Sequence, residues 1–273
     1  MLTSPKQRRS WPAILEKAAT IVAAYETSVT LRQLFYRLVA AEVLPNTQVA
    51  YQTLSSRTAE ARRRGTFPAL IDRTRRIYRH QSFHGPDQAR AWLRRIYRRD
   101  RTEGQDVSIY LGVEKAGIVE QLESWFGDLG IPILALGGYS SQSYVDNIKK
   151  DVLAQNRPAV LIYAGDFDPS GEDIDRDFLE RTDGFDEAVR VALTAKQVEE
   201  YELPEQMGKA TDSRAKRFVE RHGRLVQVEL DALPPDQLRE LYDEAIAEYW
   251  DESAFRAAVE REREELADLG EAS

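Results

Sequence analysis

Between residues 107 and 193 short apolar runs alternate with amphipathic segments. The runs are VSIYLGV, IPILALGG, PAVLIYAGDFD and AVRVALT, and AGIVEQLESWFGDLG, SSQSYVDNIKKDVLAQN and SGEDIDRDFLERT separate them. A strand with one wet face shows a polar residue at every second position, whereas runs that stay apolar are buried on both faces. Strands of that kind joined by helices predict a parallel sheet covered on both sides. The expected fold class is therefore α/β. This second domain is expected over residues 106–273, with a helical, acidic extension from PPDQLRELYDEAI to EREREELADLGEAS.

Residues 1–102 read differently. A helical pattern covers Trp11–Tyr25, Thr30 is an N-cap for LRQLFYRLVAAEV, and Pro45 stops that helix. Asn46 and Thr47 open a third helix, QVAYQTLSSRTAEARRR, which Gly65 ends. The piece TFPALIDRTRRIY is a strand pair or a loop, and PDQARAWLRRIYRR is a further basic helix before the linker DRTEGQD. Three helices followed by a small hairpin describe a helix-turn-helix or winged-helix unit.

Charge separates the same two regions. The net charge of −8 hides 20 Lys/Arg against 8 Asp/Glu in residues 1–105, and 18 against 38 in the remainder. A basic half of this size suits a polyanion. Its arginines cluster as RRRG, RTRR and RRIYRRDR, which makes Arg57, Arg62, Arg63, Arg64, Arg75 and Arg76 candidate phosphate contacts on double-stranded DNA. The plainer reading is a solvated basic helix end. Cysteine is absent, which excludes disulfide scaffolds, thiolate zinc sites and thiol catalysis. No apolar run approaches the ~18 residues of a membrane span. The expectation is a cytoplasmic, nucleoid-associated protein with no membrane partner.

Open parallel sheets bind ligands at the carboxyl ends of their strands. There the chain places Glu114, followed by Lys115, in GVEKAG, and Asp166 and Asp168 in YAGDFDPSGEDI. Three clustered carboxylates repel one another, and a hard divalent cation relieves the repulsion. Mg²⁺, with Mn²⁺ as a substitute, is the expected cofactor. Glu172 and Asp173 either assist a second ion or favour the N-terminus of their helix. Ser140 or Ser141 in GGYSSQS can cap a helix suited to a phosphate. His80 and His84 have the spacing of a helical zinc pair without a third ligand. Asp212 and Arg214, in ATDSRAKRF, either line the active site or a dimer contact, or sit on a surface turn.

GVEKAG followed by GDFDPSG resembles the Toprim domain, the metal-binding module of topoisomerases, primases and some nucleases. With RQLFY upstream, the chain resembles the A subunit of type IIB topoisomerases, in its short stand-alone form from mobile elements. GGYSSQSYV and VELDAL resemble further family segments, and the likeness covers roughly residues 28–245. The resemblance implies a winged helix before a Rossmann-like Toprim domain, Mg²⁺ on Glu114, Asp166 and Asp168, and double-strand DNA cleavage by tyrosine transesterification in a homodimer. It assigns catalysis to Tyr36 and Arg32, with Lys115 beside the phosphate. Phe35 stands where the family often has a second tyrosine. No G-x-x-x-x-G-K-[ST] is present, so ATP-driven strand passage would need a separate ATPase subunit. Residue types alone leave two alternatives open: a Toprim endonuclease using water, and a non-catalytic DNA-binding recombination accessory.

Overall fold

A computed structural model describes residues 10–25, 29–70, 80–138, 140–207 and 214–271. In chain order the helices and strands are α1 (Trp11–Ala23), α2 (Leu31–Ala40), α3 (Gln48–Arg63), α4 (Pro86–Ile96), β1 (Ser108–Val113), α5 (Val119–Phe126), β2 (Ile133–Ala135), α6 (Gln142–Ala154), β3 (Ala159–Ala164), α7 (Gly171–Thr182), β4 (Glu187–Ala192), α8 (Ala195–Glu200), β5 (Gln206–Met207), α9 (Ala215–His222), β6 (Val226–Gln227), α10 (Pro235–Ala247) and α11 (Glu252–Glu271). No helix among the described residues is long and apolar enough to cross a membrane.

The chain divides into two compact units, each drawn from separate stretches of sequence. The first comprises Met1–Asp72, Ala164–Asp173 and Ala192–Leu241, and the second Arg73–Tyr163, Ile174–Val191 and Tyr242–Ser273.

The second unit is built on a four-stranded, all-parallel sheet in the order β2-β1-β3-β4, so the protein is mixed α/β. Every residue of β1 and of β3 is buried, as continuous apolar strands require. In β1 and β2, Leu111 pairs with Ile133 and Val113 with Ala135. Tyr110, Leu161 and Tyr163 share one face of the sheet and pack with Val145, Ile148 and Val152 of α6 and Phe178 of α7. Alternate residues of a strand meet one stripe of a helix in this way because the two periods are 2 and 3.6.

The first unit starts with three helices. Ile14, Ala18 and Val22 of α1, Leu34 and Leu38 of α2, and Ala50, Leu54 and Ala61 of α3 are buried. Successive helices pack against one another, and α2 also packs on a short 3₁₀ turn at Leu230–Ala232. The second helix is shorter than LRQLFYRLVAAEV suggests, because Glu42 takes a positive φ of 51° and turns the chain towards Pro45. The proposed wing falls partly on residues 71–79, outside the described residues, as do Arg75 and Arg76.

Candidate active site

Within the first unit, α2 carries the tyrosine and arginine singled out above. Its start is fixed twice over: Thr30 Oγ1 accepts from Gln33 N–H at 3.1 Å, and Gln33 Oε1 accepts from Thr30 N–H at 2.9 Å. This capping box satisfies two backbone donors that a bare helix end leaves open. Tyr36 is only 4% exposed, and its ring meets that of Phe35 edge-on at 5.5 Å.

A distant segment completes the surroundings of that tyrosine. Arg32 Nη1 donates to Glu229 Oε2 at 2.5 Å, and the Tyr36 hydroxyl donates to the same carboxylate. Burial, then the Glu229 charge, pushes the Tyr36 phenol far above its ordinary range, and the Arg32 cation opposes both. Arg37 Nη2 donates to Ala232 O at 2.9 Å, so the stretch after Glu229 is also fastened to α2. VELDAL contains Glu229, but no pattern in the sequence singles it out. Its partners on α2 lie almost two hundred positions earlier, beyond any local pattern.

The same stretch reaches the acidic strand end. Leu230 N–H donates to Asp166 Oδ1 at 2.8 Å, and Phe167 and Val228 exchange backbone hydrogen bonds at 2.9 and 3.0 Å. Asp166 is 4% exposed, so a backbone donor on its carboxylate offsets its desolvation. Asp168 Oδ1 accepts from Ser170 N–H and Gly171 N–H at 2.8 and 2.7 Å, holding the turn into α7. A hydrogen-bond path therefore runs from Tyr36 through Glu229 and the Leu230 amide to Asp166.

Gly171 is required at the start of α7. A Cβ there would lie 2.3 Å from the carbonyl oxygen of Asp166, and that neighbour is backbone. Gly171→Ala is expected to cost roughly 2–4 kcal/mol in chemical denaturation, because the loop carrying both aspartates must shift. Retention of wild-type stability would show that this loop yields freely.

Glu172 and Asp173 are engaged with α9. Glu172 meets His222 Nε2 at 2.7 Å and Arg221 Nη1 at 3.1 Å, and Asp173 lies 4.0 Å from Arg214. Their observed role is pairing between helices. Arg214 accordingly sits beside α7, and Asp212 falls outside the described residues.

Glu114 and Lys115 belong to the second unit. Glu114 directly follows β1, and Gly137 packs so closely that an added Cβ would lie 2.7 Å from Glu114 O. The buried Tyr163 phenol in this unit is raised by burial and then by the Glu114 charge. Lys115 opens a short 3₁₀ turn, its carbonyl accepting from Ile118 N–H at 2.8 Å. Ser141 does cap α6, accepting from Tyr144 N–H.

The donors at the strand ends are carboxylate oxygens, the ligands that Mg²⁺ takes. Among the described residues no three His, Asp or Glu side chains are grouped so as to hold a metal ion. Mg²⁺ often takes only one or two carboxylates, with waters and substrate phosphates completing its shell, and Asp166 and Asp168 are the residues of this loop that could hold it. His80 and His84 lie in irregular chain before α4, so their spacing does not make the helical pair that a zinc site would use. Arg63 and Arg64 are exposed at the end of α3, Arg62 is half-buried, and Arg57 lies 6.0 Å from the Trp11 ring centroid.

No protein-family model matches the chain, and no curated protein matches its sequence.

Proposed function

We propose that this chain is a Mg²⁺-dependent DNA-cleaving transesterase of the type IIB topoisomerase A-subunit kind, a winged helix joined to a Toprim domain. The observation that carries the reading is the Tyr36–Glu229–Arg32 constellation and its link through Leu230 to Asp166. It gives a tyrosine nucleophile an acceptor for its proton and a neighbouring cation, the parts that activation of a phenol needs.

In this reading the Tyr36 oxygen bonds to phosphorus as the bond from phosphorus to the 3′ oxygen breaks, leaving a 5′-phosphotyrosyl end. The phenol proton passes to the Glu229 carboxylate, and the departing 3′ oxygen takes a proton from water. Arg32 orients Glu229 and offers positive charge to the phosphate. Asp166 and Asp168 would hold the cation. Bound Mg²⁺ or Mn²⁺ would stabilise charge on the leaving oxygen. Lys115 adds a cation for the phosphate, and the basic N-terminal region holds duplex DNA. The reading further includes a homodimer, a separate ATPase subunit for strand passage, and a cytoplasmic, nucleoid-associated location.

One observation favours a second reading. Tyr36 is 4% exposed, as a packing tyrosine would be, and a metal-dependent endonuclease would use water in its place. Incubation of supercoiled plasmid with Mg²⁺ or Mn²⁺, a denaturing quench, and electrophoresis with and without protease separates the two. Broken ends that enter the gel only after protease treatment are the expected result. Free ends without protease would mean hydrolysis. No cleavage under either metal would overturn both readings for the chain by itself.

A further inference from the structure

We infer that the outward face of α3 reads base edges in the major groove of duplex DNA, giving this chain a short sequence preference. The inference rests on the DNA-binding reading above and deepens it by naming what is recognised.

The helix has two unlike faces. Ala50, Leu54, Thr58 and Ala61 are buried at 9% exposure or less, at the i, i+4, i+8 and i+11 spacing of an inward stripe. The opposite side presents Val49, Gln52, Thr53, Ser56, Arg57 and Glu60, which line one shallow groove. In a chain with 31% charged residues, nothing from Gln48 to Ser56 is charged. A helix face meant only for water usually carries charges paired at i, i+4. Val49 is 72% exposed, more than any other large hydrophobic residue described, and a β-branched residue adds little helix propensity there.

These residue types match base chemistry. Glutamine bonds adenine at two positions, serine bonds either partner, and an aliphatic side chain meets the thymine methyl. Val49 to Ser56 spans about 10 Å of helix axis, close to three base-pair steps. The neutral stripe then gives way to Arg57, Arg62, Arg63 and Arg64, of which Arg57 and Arg64 share the single acid Glu60, leaving a net positive helix end. Neutral readers towards the N-terminal end of the second helix of a helix-turn-helix, with cations beyond them, match the division between base and phosphate contacts. Charge complementarity thus commits the face to DNA: a protein partner would be met by a broader apolar stripe than one valine.

The test is selection from a pool of duplexes with a randomised centre, with the full chain in EDTA so that cleavage plays no part, followed by sequencing. The wild type is expected to enrich a motif of three or four base pairs, by about tenfold at its strongest position. The triple variant Val49→Ala, Gln52→Ala, Ser56→Ala is expected to lose that enrichment, and circular dichroism checks that it melts like the wild type. Arg63→Ala is expected to weaken every duplex alike and to make the salt slope shallower by about one. A flat wild-type pool with duplex still retained, or a motif that survives the triple variant, would overturn the inference and leave the transesterase reading standing. Failure to retain any duplex at low salt would overturn both.

Discussion

Tyr36→Phe is expected to abolish protein-linked DNA ends, with cleavage falling on the order of 10⁴-fold or more. The substitution removes one oxygen and leaves the packing in place. Phenylalanine fills the same buried site against Phe35, and α2 keeps its capping box at Thr30 and Gln33. Glu229 keeps its ion pair with Arg32 at 2.5 Å, so it is not left as an unpaired charge. The stability loss should therefore stay near one lost hydrogen bond, about 1 kcal/mol. A large drop in cleavage beside a small drop in stability identifies a chemical role. Asp166→Asn belongs in the same experiment, since it keeps an oxygen for the Leu230 amide and removes the charge. Loss in both variants is the expected pattern. Free ends that survive Tyr36→Phe and disappear in Asp166→Asn would assign the attack to water.

How far the sequence foretells this arrangement depends on the range of the contacts that make each part. Strands β1 and β3 are legible because burial on both faces forces continuous apolar runs, SIYLGV and AVLIYA. The start of α2 is legible from Thr30, and its reciprocal partner Gln33 follows from the capping-box spacing. Strand β2 is shorter than IPILALGG suggests, since Gly137 and Gly138 turn the chain, the latter at a φ of 66°. The ribbon of β5 and β6 and the helix α9 escape such a reading: they are short, and α9 is held by Glu172 and Asp173 as well as by its own pattern. Those two acids illustrate the limit. Carboxylates in the first turn of a helix look like dipole partners or metal ligands in one dimension, and only folding shows Arg214, Arg221 and His222 opposite them. Glu229 shows the same limit within the site. Nothing in VELDAL marks its glutamate as the partner of a tyrosine on α2.

Glu229→Gln tests the role assigned to that residue, because its two possible roles predict changes of opposite sign. The phenol of Tyr36 is raised chiefly by burial and secondly by the Glu229 charge, so phenolate is scarce near neutral pH. Attack then requires the proton to leave during the step, and the carboxylate that already accepts the hydrogen bond is placed to take it. Glutamine still accepts that hydrogen bond but cannot hold the proton. Cleavage is expected to slow by about 10²–10⁴-fold, the usual contribution of a general base. The residual rate should climb with pH, since hydroxide must now remove the proton. Loss of the negative charge by itself acts the other way: it lowers the phenol's pKa and makes phenolate easier to form. If Glu229 serves instead to hold Tyr36 and Arg32 in a closed resting arrangement, Glu229→Gln would therefore cleave faster than wild type. Rates measured from pH 6 to 9 in both proteins decide between a base and a latch, and a faster variant would overturn the assignment of Glu229 as the proton acceptor.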